Sequence, residues 1–206
     1  MLKLYTFPES INAQKVRIVL EEKGVSYEKI HVDLAGGGQF HPEFRRISPY
    51  GVVPVLDDDG TLVYESTIIN EYLDEKFPDP PLMPKDPAGR ARARMMEDFA
   101  DSVFFPHRRT IFVGSYILPA QMRDLRAIEE SRDAFGRELT RLNAELEGRD
   151  YLAGDFSLAD VAFIPTVATL GLLGLALSPD QPNILRWLRK IQERPSFRVI
   201  ALSSAV

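Results

Sequence analysis

Pro78-Asp79-Pro80-Pro81-Leu82-Met83-Pro84-Lys85-Asp86-Pro87 holds five of the 15 prolines in a chain of 206 residues. Proline lacks a main-chain donor and restricts the residue before it, so neither a helix interior nor a central strand runs through this stretch. It reads as a linker over 79–87. Before it, from Lys3 to about Phe77, short apolar strands alternate with helical patterns. After it, nearly every periodic segment is helical. The chain therefore divides into an α/β domain over 1–78 and an all-helical domain over 88–206.

Within the first part, Leu2, Leu4 and Thr6 alternate as a strand, and Ala13, Val16, Val19 and Leu20 follow at helical spacing until Gly24 ends the helix. Ile30, Val32 and Leu34 alternate again, and a right-handed crossover makes this second strand parallel to the first. Val53 to Leu56 and Thr61 to Tyr64 flank Asp57-Asp58-Asp59-Gly60, a turn joining antiparallel strands. Ile68, Ile69, Tyr72 and Leu73 form a helical stripe. The order is β-α-β, a weakly patterned segment near 40–50, then β-β-α, which builds a mixed four-stranded sheet covered by helices.

Composition narrows the function. The 25 Lys+Arg against 30 Asp+Glu leave a formal charge of −5, so no overall basic field exists to hold nucleic acid or an anionic membrane. Cysteine is absent, which excludes disulfides, thiolate metal sites and a cysteine nucleophile; any thiol chemistry uses a thiol brought by a ligand. No pair of the three histidines has metal-ligand spacing, and no metal is expected. The N-terminus lacks the pattern of a secretory signal, so a cytoplasmic location is expected. The charge-free run Val161 to Leu177 contains Pro165, Gly171 and Gly174 and reads as a buried core helix, not a membrane span.

Four ordered landmarks, Ser10-Ile11-Asn12-Ala13-Gln14-Lys15-Val16-Arg17, Pro49-Tyr50-Gly51-Val52-Val53-Pro54-Val55-Leu56, Glu65-Ser66 and Ser157-Leu158-Ala159-Asp160, resemble those of the cytosolic glutathione transferase family. The resemblance spans nearly the whole chain and is to its serine-type members. It implies a thioredoxin-like first domain (β-α-β-α-β-β-α), an all-α second domain, a homodimer, and glutathione as co-substrate.

On the residues alone, Ser10 is an N-cap of the first helix. The resemblance gives its hydroxyl a second role, donation to the sulfur of bound glutathione. The Ser-x-Asn spacing is also similar to the Thr-Pro-Asn pattern of nu-class members, so either Ser10 or Asn12 is a candidate. A thiol of pKa about 8.5 needs roughly 2.7 kcal/mol of preferential anion stabilisation to titrate two units lower. A hydroxyl donor and a helix N-terminus supply energy of that order.

The resemblance further implies a cis bond at Val53-Pro54, freeing the Val53 backbone to pair with the extended tripeptide. It also implies a γ-glutamyl site at Glu65 and Ser66, which otherwise read as a helix start. Val52 stands where many members carry Lys or Gln; Gln39 or His41 are the candidates to replace that contact. The electrophile pocket is expected in the cleft between the domains, from Phe7, Phe104, Phe105, Arg108 and Tyr116. Arg108 or Arg109 at its rim would favour an apolar electrophile bearing an anionic group, while the phenylalanines equally suit core packing. Ser157 to Asp160 reads as a capping box with Phe156 and Val161 as its staple, for which Asp160→Ala should cost about 1 kcal/mol. Arg90, Arg92 and Arg94 read as a solvated face. Glutathione-dependent disulfide or peroxide reduction, isomerisation, and a non-catalytic regulatory or binding role are the alternatives on the same fold.

Overall fold

The computed structural model describes residues 1–200. Among these residues the chain separates into two compact units, Met1–Leu82 together with residues 194–200, and Met83–Glu193. The helical pattern alone places that last segment with the second domain. The physical reason for its return is Glu22, whose carboxylate takes Arg194 Nε at 2.9 Å, Arg194 Nη2 at 2.7 Å and the Ser196 hydroxyl.

The first unit contains β1 (Leu2–Thr6), α1 (Ile11–Glu22), β2 (Glu28–His31), α2 (Pro42–Ile47), β3 (Val55–Asp58), β4 (Thr61–Tyr64) and α3 (Ser66–Lys76). The sheet order is β2-β1-β3-β4, with β1 and β2 parallel and the other pairs antiparallel. Three local readings shift. The second strand stops at His31, because Asp33 turns the chain by accepting from Gly36 N with its side chain and from Gly38 N with its carbonyl. The hairpin turn is the two residues Asp59-Gly60, both at positive φ (49° and 96°), so Asp57 and Asp58 belong to the strand. In α3 the buried face is Ile69, Asn70, Leu73 and Asp74, and Ile68 is exposed.

The proline-rich stretch is tied to the first unit at its start. Lys23, its side chain fully buried, donates to Asp74 Oδ1 and to Pro80 O, both at 2.6 Å, and Asp74 also takes Leu82 N at 2.7 Å.

In the second unit, α4 (Pro87–Asp98) and α5 (Phe105–Phe112) run as one long helical segment, with wider π turns at Phe99–Phe104 and Val113–Ile117. Pro106 explains the first, since it cannot donate to the carbonyl one turn back. Then come α6 (Leu125–Glu145), α7 (Leu158–Ala168) and α8 (Pro182–Gln192). Phe99, Phe104, Phe135 and Phe163 form the aromatic core, with Phe104 edge-on to the other three at 5.0 to 5.2 Å. The arginines of α4 are not a purely solvated face: Arg92 donates to Leu152 O at 2.9 Å and to Glu145 Oε2 at 2.8 Å.

α7 is buried on every side. Its N3 residue, Asp160, accepts from Ser157 N, Leu152 N and the Trp187 indole at 3.0, 3.0 and 2.8 Å. Asp160 is therefore a buried junction of three segments as well as a cap. Among the described residues, no helix is long and apolar enough to cross a membrane.

Candidate functional site

Strand register gathers the N-terminal candidates. Tyr5, the penultimate residue of β1, is opposite Val55, the first of β3; Val55 is opposite Tyr64, the last of β4; and Tyr5 also pairs with Ile30 near the end of β2. With strands about 4.8 Å apart, the loop after β1 (Ser10), the turn before β3 (Val53, Pro54), the junction after β4 (Glu65, Ser66) and the segment after β2 (Gln39, His41) all leave from one end of the sheet.

Ser10 begins α1. Its Oγ accepts from Ala13 N at 3.3 Å, and its N–H donates to Phe7 O at 3.1 Å. Capping uses a lone pair and leaves the hydroxyl proton free to donate, so the two roles read for Ser10 are compatible. The loop before it is clamped: the carbonyl of Pro8 accepts from Gln14 Nε2 at 3.0 Å and from Arg17 Nη2 at 2.7 Å. Burial lowers the Arg17 pKa, with the nearby Tyr27 and Glu9 acting in the opposite direction. Sequence spacing missed this clamp, although Gln14 and Arg17 lie one turn apart on a helix face that is otherwise apolar. Asn12 Oδ1 is buried and accepts no hydrogen bond. Phe7 is partly buried, tilted against His31 and packed on the cluster of Val32, Phe44, Val53 and Val55.

The Val53–Pro54 bond is cis. The turn before it is clipped by Ser48, whose Oγ accepts from Val52 N at 2.9 Å and donates to Val52 O at 2.8 Å. Gly51, at φ 64°, also packs its α-carbon tightly: a Cβ there would lie 2.4 Å from Arg45 Nη1 and 3.1 Å from Gln39 O. The main-chain N–H and C=O of Val53 make no hydrogen bond among the described residues. Its donor and acceptor are thus unpaired, as pairing with an extended peptide requires.

Glu65 adopts φ 71°, ψ 118° as the N-cap of α3, with no side-chain cap bond. A positive φ at Asp59 is explained by the hairpin turn. At Glu65 no turn requires it, and such strain costs on the order of 1 to 3 kcal/mol. The consequence is geometric: the chain bends so that Ser66 starts a helix of 11 residues with its first N–H groups unpaired by the helix itself. Gln39 Oε1 is buried without a partner, and His41 is exposed at the start of α2.

In the helical unit the candidates scatter. Phe104 is 1% exposed inside the phenylalanine core, which corrects its reading as a pocket-lining residue. Arg108 is buried rather than at a rim, donating to Thr169 Oγ1 at 3.4 Å. Phe105 is half-buried. Tyr116 is exposed and tilted against Phe112. Arg109 lines a separate cavity of about 240 Å³ with Val113, Met122, Asp124 and Ile128. No group of three or more His, Asp or Glu among the described residues is placed to hold a metal.

A thioredoxin-like sheet with its strand-end loops gathered, followed by a helical unit, defines a class of two-part α/β and α proteins. Residues 4–81 match the family model for the glutathione S-transferase N-terminal domain, and residues 104–195 that for the C-terminal domain. The chain is 32% identical over 205 residues to "Glutathione S-transferase GstB" of Escherichia coli K12, covering 98% of each. It is also 32% identical over 202 residues to a "Stringent starvation protein A homolog" of Coxiella burnetii, covering 96% of this chain and 90% of that one. Among solved structures, the theta class glutathione S-transferase of Xanthomonas axonopodis pv. citri, crystallised with glutathione bound, superposes with a TM-score of 0.87 at 28% identity over 100% of this chain and 99% of that one. The chain belongs to the glutathione S-transferase family.

Proposed function

We propose that this protein is a cytoplasmic, homodimeric glutathione transferase. Glutathione lies extended against the free main chain of Val53 beside Pro54. Its γ-glutamyl carboxylate is held by Ser66 and the α3 N-terminus, and its ammonium by Glu65. Gln39 and His41 serve its glycine end. Ser10, with Asn12, donates to the sulfur and stabilises the thiolate, which attacks an electrophile carried by the helical domain. The protein supplies orientation and anion stabilisation, not a covalent nucleophile.

The observation that carries this reading is the unpaired backbone of Val53 at the sheet end where the Ser10 and Glu65 loops also emerge. The second subunit is supported by the exposed apolar side chains of Tyr50, Val52, Leu62, Tyr64 and Ile68, with Tyr50 and Tyr64 edge to face at 5.7 Å. A second copy of this chain is the partner proposed there; neither nucleic acid nor membrane is expected.

The test is glutathione binding by calorimetry, then thiol conjugation with Ser10→Ala and Asn12→Ala. We expect binding to survive in both variants and turnover near neutral pH to fall by about 10- to 100-fold in whichever residue holds the sulfur. A wild type that does not bind glutathione sinks the proposal and favours the non-catalytic role. Binding with turnover of disulfides or peroxides, but not of electrophiles, would favour the reductase reading.

A further inference from the structure

The cavity beside Arg109 lies wholly within the second unit. Its walls come from the end of α5 and the π turn after it, from the connection that holds Leu118 and Met122, and from the start of α6. The two helical walls come close because residue 114 is glycine: a Cβ there would lie 2.8 Å from two side-chain carbons of Ile128. Val113, Leu118, Met122 and Ile128 make the lining apolar. At about 240 Å³ the cavity is smaller than the roughly 300 to 1,000 Å³ of pockets that take drug-sized ligands, so it suits a smaller molecule.

Two opposite charges line the same cavity, and the protein uses neither as a charge. Arg109 is exposed and makes no hydrogen bond or ion pair among the described residues. Asp124 is the N-cap of α6, its Oδ1 accepting from Ala127 N at 2.9 Å, and no cation pairs with it. Capping occupies one lone pair of the carboxylate and leaves the others open. The arginines flanking Asp124 are engaged elsewhere: Arg123 Nε donates to Leu118 O at 2.9 Å, and Arg126 Nε to Glu130 Oε1 at 2.7 Å. A simple anion in this cavity would meet Arg109 and be repelled by Asp124, and a simple cation would meet the reverse. A molecule carrying both charges satisfies both residues, so the pair selects a zwitterion.

We infer that this cavity is a binding site for a free apolar α-amino acid of the size of leucine. Its carboxylate is received by Arg109, its ammonium by Asp124, and its side chain by Val113, Leu118, Met122 and Ile128. The site goes beyond the transferase reading and does not depend on it, because none of these residues is among those proposed to hold glutathione.

The experiment measures binding of L-leucine to the protein without glutathione, by calorimetry. The comparison compounds are 4-methylpentanoate, which lacks the ammonium, 3-methylbutylamine, which lacks the carboxylate, and glycine, which lacks the side chain. Leucine should bind about fivefold more tightly than either singly charged compound, as one partly exposed charge contact predicts. It should exceed glycine by about tenfold or more through the buried side chain. Arg109→Gln should erase the advantage over 3-methylbutylamine and keep that over 4-methylpentanoate. Asp124→Asn, which retains a good N-cap, should do the opposite. Ala127→Leu, which fills the cavity, should abolish leucine binding. If Ala127→Leu does not fold, the wild-type series and the two charge variants decide. Equal binding of leucine and either singly charged compound, a preference that neither charge variant alters, or no binding of leucine overturns the site. Leucine binding of the expected pattern in a protein that does not bind glutathione keeps this site and sinks the transferase; the reverse result leaves the transferase standing without it.

Discussion

Glu65 shows how one residue can be placed against its own preference. A side chain at φ 71° clashes with its backbone where glycine would not, and nothing in the β4–α3 junction but the direction of α3 requires it. If the strain serves ligand binding, Glu65→Gly should stabilise the folded protein by about 1 kcal/mol in urea unfolding while weakening glutathione binding in calorimetry. A variant that binds as tightly as wild type would remove Glu65 from the site. At this scale the sequence was partly legible. Ser10, Glu65 and Ser66 were readable because helix starts demand particular residue types. The Glu65 backbone angle was not, since no local rule asks a glutamate to occupy that region.

At the scale of elements, two helix starts carry more than their caps. Asp160 caps α7 but also joins the loop at Leu152 and the indole of Trp187, entirely out of water. Asp160→Ala should therefore cost about 3 to 5 kcal/mol rather than 1, because four buried donors, the N–H groups of Leu152 and Ser157, the Ser157 hydroxyl and the Trp187 indole, lose their acceptor. Burial outweighs those donors and raises its pKa to about 6. The folded state then keeps a proton that the unfolded chain releases near pH 4. Stability accordingly falls as pH rises from about 4 to 6, by up to about 3 kcal/mol from this group. The difference in unfolding free energy between wild type and Asp160→Asn should shrink over that range; a constant difference would contradict the assignment. In α1 the clamp on Pro8 by Gln14 and Arg17 holds the Ser10 loop. Arg17→Met should shift the pH profile of kcat/KM toward alkaline values and lower it about tenfold at neutral pH. Arg17→Lys should restore part of the loss, and an unshifted profile would make Arg17 purely structural. The existence of both helices was legible from apolar spacing. The clamp was not, because a polar residue on a helix face does not announce its acceptor.

For the whole molecule, the buried pair of Lys23 and Asp74 decides where the first unit ends. Three hydrogen bonds from two donors fix the proline-rich stretch against the end of α3: Lys23 Nζ and Leu82 N both donate to Asp74, and Lys23 Nζ also donates to the carbonyl of Pro80. Asp74→Ala should destabilise by about 3 to 5 kcal/mol, since it leaves a buried ammonium unpaired, and adding Lys23→Met should recover much of that loss. Denaturant unfolding of the single and double variants measures this; an additive double would mean the pair is not coupled.

What the sequence determined by itself is what neighbouring residues settle between them: strand alternation in β1, the Asp-Gly hairpin, the capping box of α7, the break at the proline-rich stretch, and the ordered landmarks of the family. What only the tertiary structure decided is which polar groups lose water, and with whom. Lys23 meets Asp74 across 51 residues, Arg108 meets Thr169 across 61, and Arg194 meets Glu22 across 172. A charged side chain in a sequence is solvated by default, and only the packing of distant segments removes that water and makes its partner, or its lack of one, count in the energy.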